Sequence, residues 1–542
     1  MTIGGQIVDI INRTIFNGEI TIRDGIIKSI VRVDKKFSNF ILPGLVDSHV
    51  HIESSMLTPC FFSELVVPRG TVAVVTDPHE IANVAGIKGV NFMINDSKNT
   101  PLKCFFGAPS CVPATSFESS GAVIQSDDID ALMQKKEVCC LSEMMNFPGV
   151  VNNEKEVWDK INIAHKYNKP IDGHAPGLKG AELDQYIKAG ISTDHECVSV
   201  EEAVEKINKG VIVQIREGSA AKNFQALLPL FDSHPDNIML CTDDSHPDEI
   251  VSKGHIDKII RLGLKEGIDI FKLLRAAILK PIQHYNLPVG LLREGDAADF
   301  IVVDNLDDFN IIETFIDGNR VYSDGKIRFN ISKPEPINNF NIDKIAEEDI
   351  KVNYVEGKRI RVIGAVNGDL LTEELVWSPT SKDGFIDSDI QQDILKIVVV
   401  NRYKQCKPVV GFIKNIGLKK GAIACSIAHD SHNLIAVGVS DSDIVDALNI
   451  IIENKGGISC SENGISDILP LEVGGLMTSV SGKQVAKQYQ KINSKAFELG
   501  ATLSAPFMTL SFMSLLVIPN IKIGDKGLFD VTKFSFTNLY TE

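Results

Sequence analysis

No basic patch interrupts this chain, whose 542 residues carry a net charge of −16. Binding to a phosphate backbone is driven by clustered Lys and Arg, so the composition argues against a nucleic-acid partner. There is no C-x-x-C pair and no regular cysteine framework. The ten cysteines are scattered, and most, such as Cys139, Cys140, Cys197, Cys241 and Cys425, sit in apolar runs where cysteine packs as a small hydrophobe. A cytoplasmic, reducing location is expected. A long unbroken apolar run is also missing. The most apolar late stretch, Pro506 to Ile521, holds Thr509, Ser511, Ser514 and Pro519 and is shorter than the roughly 20 residues a membrane span needs. No membrane partner is expected. "MTIGGQIVDIINRTIF" lacks a charged region followed by an apolar one, so no signal peptide is expected either. Finally, no Gly-rich phosphate loop, Ser-centred nucleophile elbow or dinucleotide fingerprint is found.

What is present is an ordinary soluble composition, 44% hydrophobic and 23% charged, in a chain too long for one ordinary domain. The first forty residues read as short strands separated by Asn17-Gly18 and Asp24-Gly25 turns. From Ile41 the rhythm changes. Apolar runs at Ile41–Val46, Thr71–Val75, Leu102–Phe106, Val138–Leu141, Pro170–Asp172, Gly190–Thr193, Val211–Ile215 and Ile238–Cys241 alternate with segments of helical spacing. Eight such units predict an α/β fold, a parallel (β/α)8 TIM-like barrel, over residues 44–290. Residues 1–43 and 291–330 are expected to pair into a small flanking β-sandwich module. The polar stretch Asn330–Asp349 reads as a linker to a C-terminal α+β domain, residues 350–542.

Barrel chemistry sits at the C-terminal ends of the strands, and seven of the eight runs end in ionisable groups. In "LPGLVDSHVHIESSMLTPC", Asp47, His49, His51 and Glu53 fall on alternate positions, so His49 and His51 share one side of a strand. The second run ends in Asp77 and His79, the fourth in Glu143, the fifth in His174 and the sixth in His195. The seventh ends in Arg216 and Glu217, and the eighth in Asp243 and Asp244. Only "KCFFGAPSC" ends without one. A wet strand edge explains one or two such endings, not seven. Imidazoles and carboxylates together suit zinc, manganese and iron(II). His49, His51, His174 and His195 with Glu143 and Asp243 exceed what one tetrahedral ion needs, which points to two divalent transition-metal ions. Such ions activate water for hydrolysis, with Asp243 placed to carry the proton. Asp77 and His79 read as substrate or proton-relay groups or as a tight-turn cap. Arg216 and Glu217 read as a salt-bridged pair or as substrate contacts. Asp244 reads as a supporting carboxylate, and His165, His234, His246, His255 and His284 as structural.

The pattern His49-Val50-His51, His174, His195 and Asp243 resembles the amidohydrolase superfamily. "VVTDPHEIANVAG", "DGHAPGLKG", "STDHEC", "REGSAAKN" and "CTDDSHP" narrow that resemblance to the adenine deaminase family, and "GLKKGAIACSIAHDSHNLIAVG" and "PFMTLSFMSL" resemble that family's extra C-terminal domain. The resemblance implies hydrolysis of adenine to hypoxanthine and ammonia, in purine salvage, at a two-metal site of Mn2+ or Fe2+, with Zn2+ as an alternative. Adenine and water are then the partners, in a homo-oligomer. In related barrels the fourth strand supplies a bridging carboxylated lysine or glutamate. Here Lys135 and Lys136 precede the strand, which leaves Glu143, either as bridge or as proton donor to the purine alongside His79. Asp77, Arg216 and Glu217 become candidate substrate contacts, and His429 and His432 either close over the site or belong to a surface loop. The alternatives are another purine or a cyclic amide as substrate, or a non-catalytic assembly protein.

Overall fold

Eight short parallel strands carry the centre of the molecule: β1 (Leu45–Val50), β2 (Thr71–Thr76), β3 (Lys103–Ala108), β4 (Val138–Met144), β5 (Ile171–Gly173), β6 (Thr193–Asp194), β7 (Ile212–Arg216) and β8 (Ile238–Cys241). They come from a computed structural model, which describes residues 1–219 and 221–541. Strands covered on both faces read as continuous apolar runs, and all six residues of β1 and all six of β2 are buried. Strands β1–β5 form one sheet and β6–β8 another. Two seams close them into a barrel. Ile171 bridges Ile191, and Val50 bridges Asp243. At the second seam the Asp243 N–H donates to His49 O at 3.0 Å and the His51 N–H donates to Asp243 O at 3.1 Å. Backbone pairing alone therefore sets the two histidines of β1 beside Asp243.

The first apolar run is two strands, not one. Phe40–Pro43 belongs to an eight-stranded sheet made from the N-terminal strands and the strands between Phe300 and Ile327. That sheet folds over its own core of Ile7, Ile20, Ile27, Ile41, Phe300 and Phe315. Gly44 marks the break. A Cβ there would lie 2.2 Å from Val72 Cγ1, on β2, so only glycine lets the chain pass from that sheet into the barrel.

Residues 351–541 build a nine-stranded sheet that is antiparallel except at one pair, with helices Asp441–Asn454 and Gly482–Glu498. This unit is not tethered at a distance. Its apolar residues Leu471, Val473, Met477, Phe507 and Leu510 lie in one continuous core with Val50, Leu57 and Ile81 of the barrel. Thr478 N–H donates to Met56 O at 2.9 Å, and Glu64 accepts from Ser481 and Gly482 at 2.9 Å each. The segment expected as a linker has no regular element up to Ala346 yet is pinned across the seam, Asn339 Nδ2 donating to Val84 O and Gly121 O. Among the described residues no helix is long and apolar enough to cross a membrane.

A chain ending at Asp349 therefore exposes a large apolar surface around Leu57, Leu65 and Ile81, and such patches drive aggregation. We expect it to be insoluble or inactive. Soluble yield and ammonia release measure this, and a soluble truncation working at the full rate would contradict it.

Candidate metal centre and substrate cavity

Glu143, near the end of β4, is the hub of the barrel mouth. Its Oε2 lies 2.9 Å from His174 Nδ1 and 3.3 Å from His195 Nε2. Its Oε1 lies 3.4 Å from His51 Nε2 and 3.5 Å from His79 Nδ1. One carboxylate thus presents each oxygen to a different pair of imidazoles. Across the mouth, Asp243 Oδ1 stands 3.3 Å from His51 Nε2 and 3.6 Å from His49 Nε2. The donor atoms of His49, His195 and Asp243 lie within 4.8 Å of one another, and so do those of Glu143, His174 and His195. These two sets take in five of the six sequence-derived ligand candidates, and the sixth, His51, meets both Glu143 and Asp243.

Both sets fit divalent cations. His49 Nε2 and His195 Nδ1 are buried without a hydrogen-bond partner, a costly condition unless another species occupies them. The local potential is negative. Burial alone would lower the pKa of His51, His174 and His195, yet the carboxylates around them raise all three. Burial would raise Glu143, but His174 and His195 hold it well below the usual carboxylate range. A site that draws protons onto its histidines is one a cation would neutralise. Support from outside the set fixes the rings: His51 Nδ1 faces Asp77 O at 3.1 Å. The Lys206 ammonium joins Ala175 O, at 2.8 Å, to the Asp194 carboxylate, holding the residues next to His174 and His195 together.

The remaining candidates divide. Arg216 closes on Glu196 through two bonds, NH1 to Oε1 at 2.7 Å and NH2 to Oε2 at 2.8 Å, and reaches Asp243 Oδ2 at 2.5 Å. Burial would raise the Asp243 pKa, but Arg216 and the histidines drive it well below the carboxylate range. Glu217 does not join this mouth. Successive strand residues face opposite sides, so Glu217 turns away from Arg216 and lines a separate cavity with Lys222, Lys253 and Lys258. Its reading as a substrate contact, or as the ion-pair partner of Arg216, is corrected accordingly. Asp77 stands behind His79, Oδ2 to Nδ1 3.2 Å, outside the residues that line the cavity. Asp244 does reach the cavity and accepts from Ser54 Oγ at 2.5 Å.

Above the ligand candidates lies a cavity of about 410 Å³, with a charged floor and an apolar roof. The barrel supplies His51, His79, Glu143, His174, His195, Arg216 and Asp243. The C-terminal region supplies His429, Asp430, Leu370, Phe512, Leu515 and the run from Val517 to Pro519. His429 stacks on Phe512 with ring centroids 4.5 Å apart. His432 sits behind it, wholly buried and outside the cavity wall. Burial and the charges of His429 and Arg402 hold its pKa well below the ordinary value.

Sequence reasoning missed three acidic residues of this wall: Glu80, Glu196 and Asp430. The first two directly follow assigned histidines, a signal that was available. Asp430 likewise follows His429, a residue the sequence had offered as closing over the site.

Comparison with known proteins gives consistent results. Residues 40–321 match the amidohydrolase family model and residues 369–535 match the adenine deaminase C-terminal domain. The chain is 55% identical to an adenine deaminase of Methanosarcina mazei, with 99% of each chain covered. It is 47% identical to one of Salinibacter ruber, covering 100% of this chain and 99% of that one. Against one of Borreliella burgdorferi the identity is 46%, with 98% of each chain covered.

Proposed function

Since this chain belongs to the adenine deaminase family of amidohydrolases, we propose that its barrel mouth hydrolyses adenine to hypoxanthine and ammonia. The observation that carries the site assignment is the placement of Glu143, one oxygen toward His51 and the other toward His174 and His195. We infer two divalent ions, Mn2+ or Fe2+ with Zn2+ as an alternative, one among His49, His51 and Asp243 and one between His174 and His195, with Glu143 shared. Bound there, they supply hydroxide at neutral pH, lowering the pKa of water from ~15.7 toward ~7.

The chain's own groups do the rest. Attack forms a bond from oxygen to carbon 6 and breaks the bond to the exocyclic nitrogen. Asp243, kept ionised by Arg216 at Oδ2, accepts the proton of the attacking water and passes it to the departing amine. A ring nitrogen gains a proton as aromaticity is lost, and His79 is the donor on that side of the cavity. The roof excludes water above the ring.

The family resemblance implies an enclosed far edge of the base, so adenosine is expected to turn over poorly. The test compares adenine and adenosine spectrophotometrically at equal concentration, before and after chelation. Activity on adenine that chelation abolishes and manganese or iron(II) restores is the expected result. Equal rates on both substrates would refute the enclosed pocket, and full activity in metal-free protein would refute the two-ion site.

A further inference from the structure

Strand Ile521–Gly524 carries a lysine on a wholly buried stretch, and Lys522 is 0% exposed. A buried ammonium is ordinarily paired with a carboxylate, but among the described residues none lies within ion-pairing distance of this one. Its Nζ donates instead to two carbonyls, Leu370 O at 2.7 Å and Phe512 O at 3.1 Å. Those two residues belong to two different loops, and both line the roof of the cavity.

The roof packs partly against itself. Met508, Phe512 and Leu515 pack with Leu370, Val517 and Ile518 as a small cluster separate from the main core. A second tie runs beside the first: Thr372 N–H donates to Pro519 O at 3.0 Å and Asn520 Nδ2 to Thr372 O at 3.0 Å. Phe512 in turn stacks on His429, whose N–H donates to Ser511 O at 3.1 Å. A displacement at Leu370 is thereby passed through Lys522 to Phe512 and on to the cavity wall.

We propose that Lys522 is a positioning residue that locks the two roof loops into one body, so that they close over the purine together and set how tightly it is held. Burial brings its pKa down to about 7, against a weaker pull from Asp369. A neutral amine still carries two N–H donors, enough for both carbonyls, so the tie survives deprotonation.

This inference rests on the adenine reading of the cavity, which ammonia release by the unaltered enzyme tests separately. Lys522→Met fills the slot but removes the donors. KM for adenine should rise about tenfold, the worth of one or two hydrogen bonds, with kcat and metal content unchanged. An unchanged KM, or a fall in kcat accompanied by metal loss, would overturn the proposal. If that variant does not fold, amide exchange on the unaltered enzyme decides. Hypoxanthine should slow exchange in residues 366–371 and 512–519 together, and slowing of one loop without the other would overturn the tie.

Discussion

Asp243→Asn should lose ~10²–10⁴ in kcat, the usual contribution of a general acid–base group, while adenine binding is largely kept. The amide preserves the shape of the side chain but cannot take up a proton. Position matters as much as charge here. Backbone pairing with His49 and His51 fixes residue 243, and its φ of 56° aims the carboxylate into the mouth. Asp244→Asn should do less, since the Asp244 carboxylate is already engaged by Ser54 Oγ. Steady-state kinetics with metal analysis on both variants measures this. If Asp244→Asn proved the more damaging, the proton carrier would be Asp244.

Arg216→Met is expected to harm stability as much as rate. Arg216 is the cation between Glu196 and Asp243. Removing one partner of a buried ion pair leaves an uncompensated charge and typically costs about 3–5 kcal/mol. Adding Glu196→Gln should recover much of this loss, because the bidentate partner then no longer carries a charge. Denaturant titration of the single and double variants, with and without metal, tests this. A single variant as stable as the parent under chelation would refute the electrostatic account.

Much of the barrel was legible because the physics that builds it is local. A strand covered on both faces must be apolar, so β2, β4, β7 and β8 stand out as runs, and the ionisable residue that ends each run marks where the strand leaves the core. The break at Gly44 was legible as a domain boundary, between residues 43 and 44, but not as the end of a strand. Ile41 to Val46 is apolar throughout, and what splits it is Val72 on another strand. Glu217 was drawn to the site by adjacency to Arg216, although strand alternation sends neighbours to opposite faces. The roof had little local signal beyond His429. Leu370, Asp430 and Phe512 meet over the barrel only because the two regions share one core.

That division between floor and roof has a consequence in time. Synthesis runs from the N-terminus, so Asp243, last of the six candidate ligands, leaves the ribosome roughly 270 residues before Phe512. At ~5–20 residues per second that interval is roughly 13 to 54 seconds. Throughout it the apolar surface around Leu57, Leu65 and Ile81 stands uncovered, so the risk of aggregation is concentrated in the nascent chain.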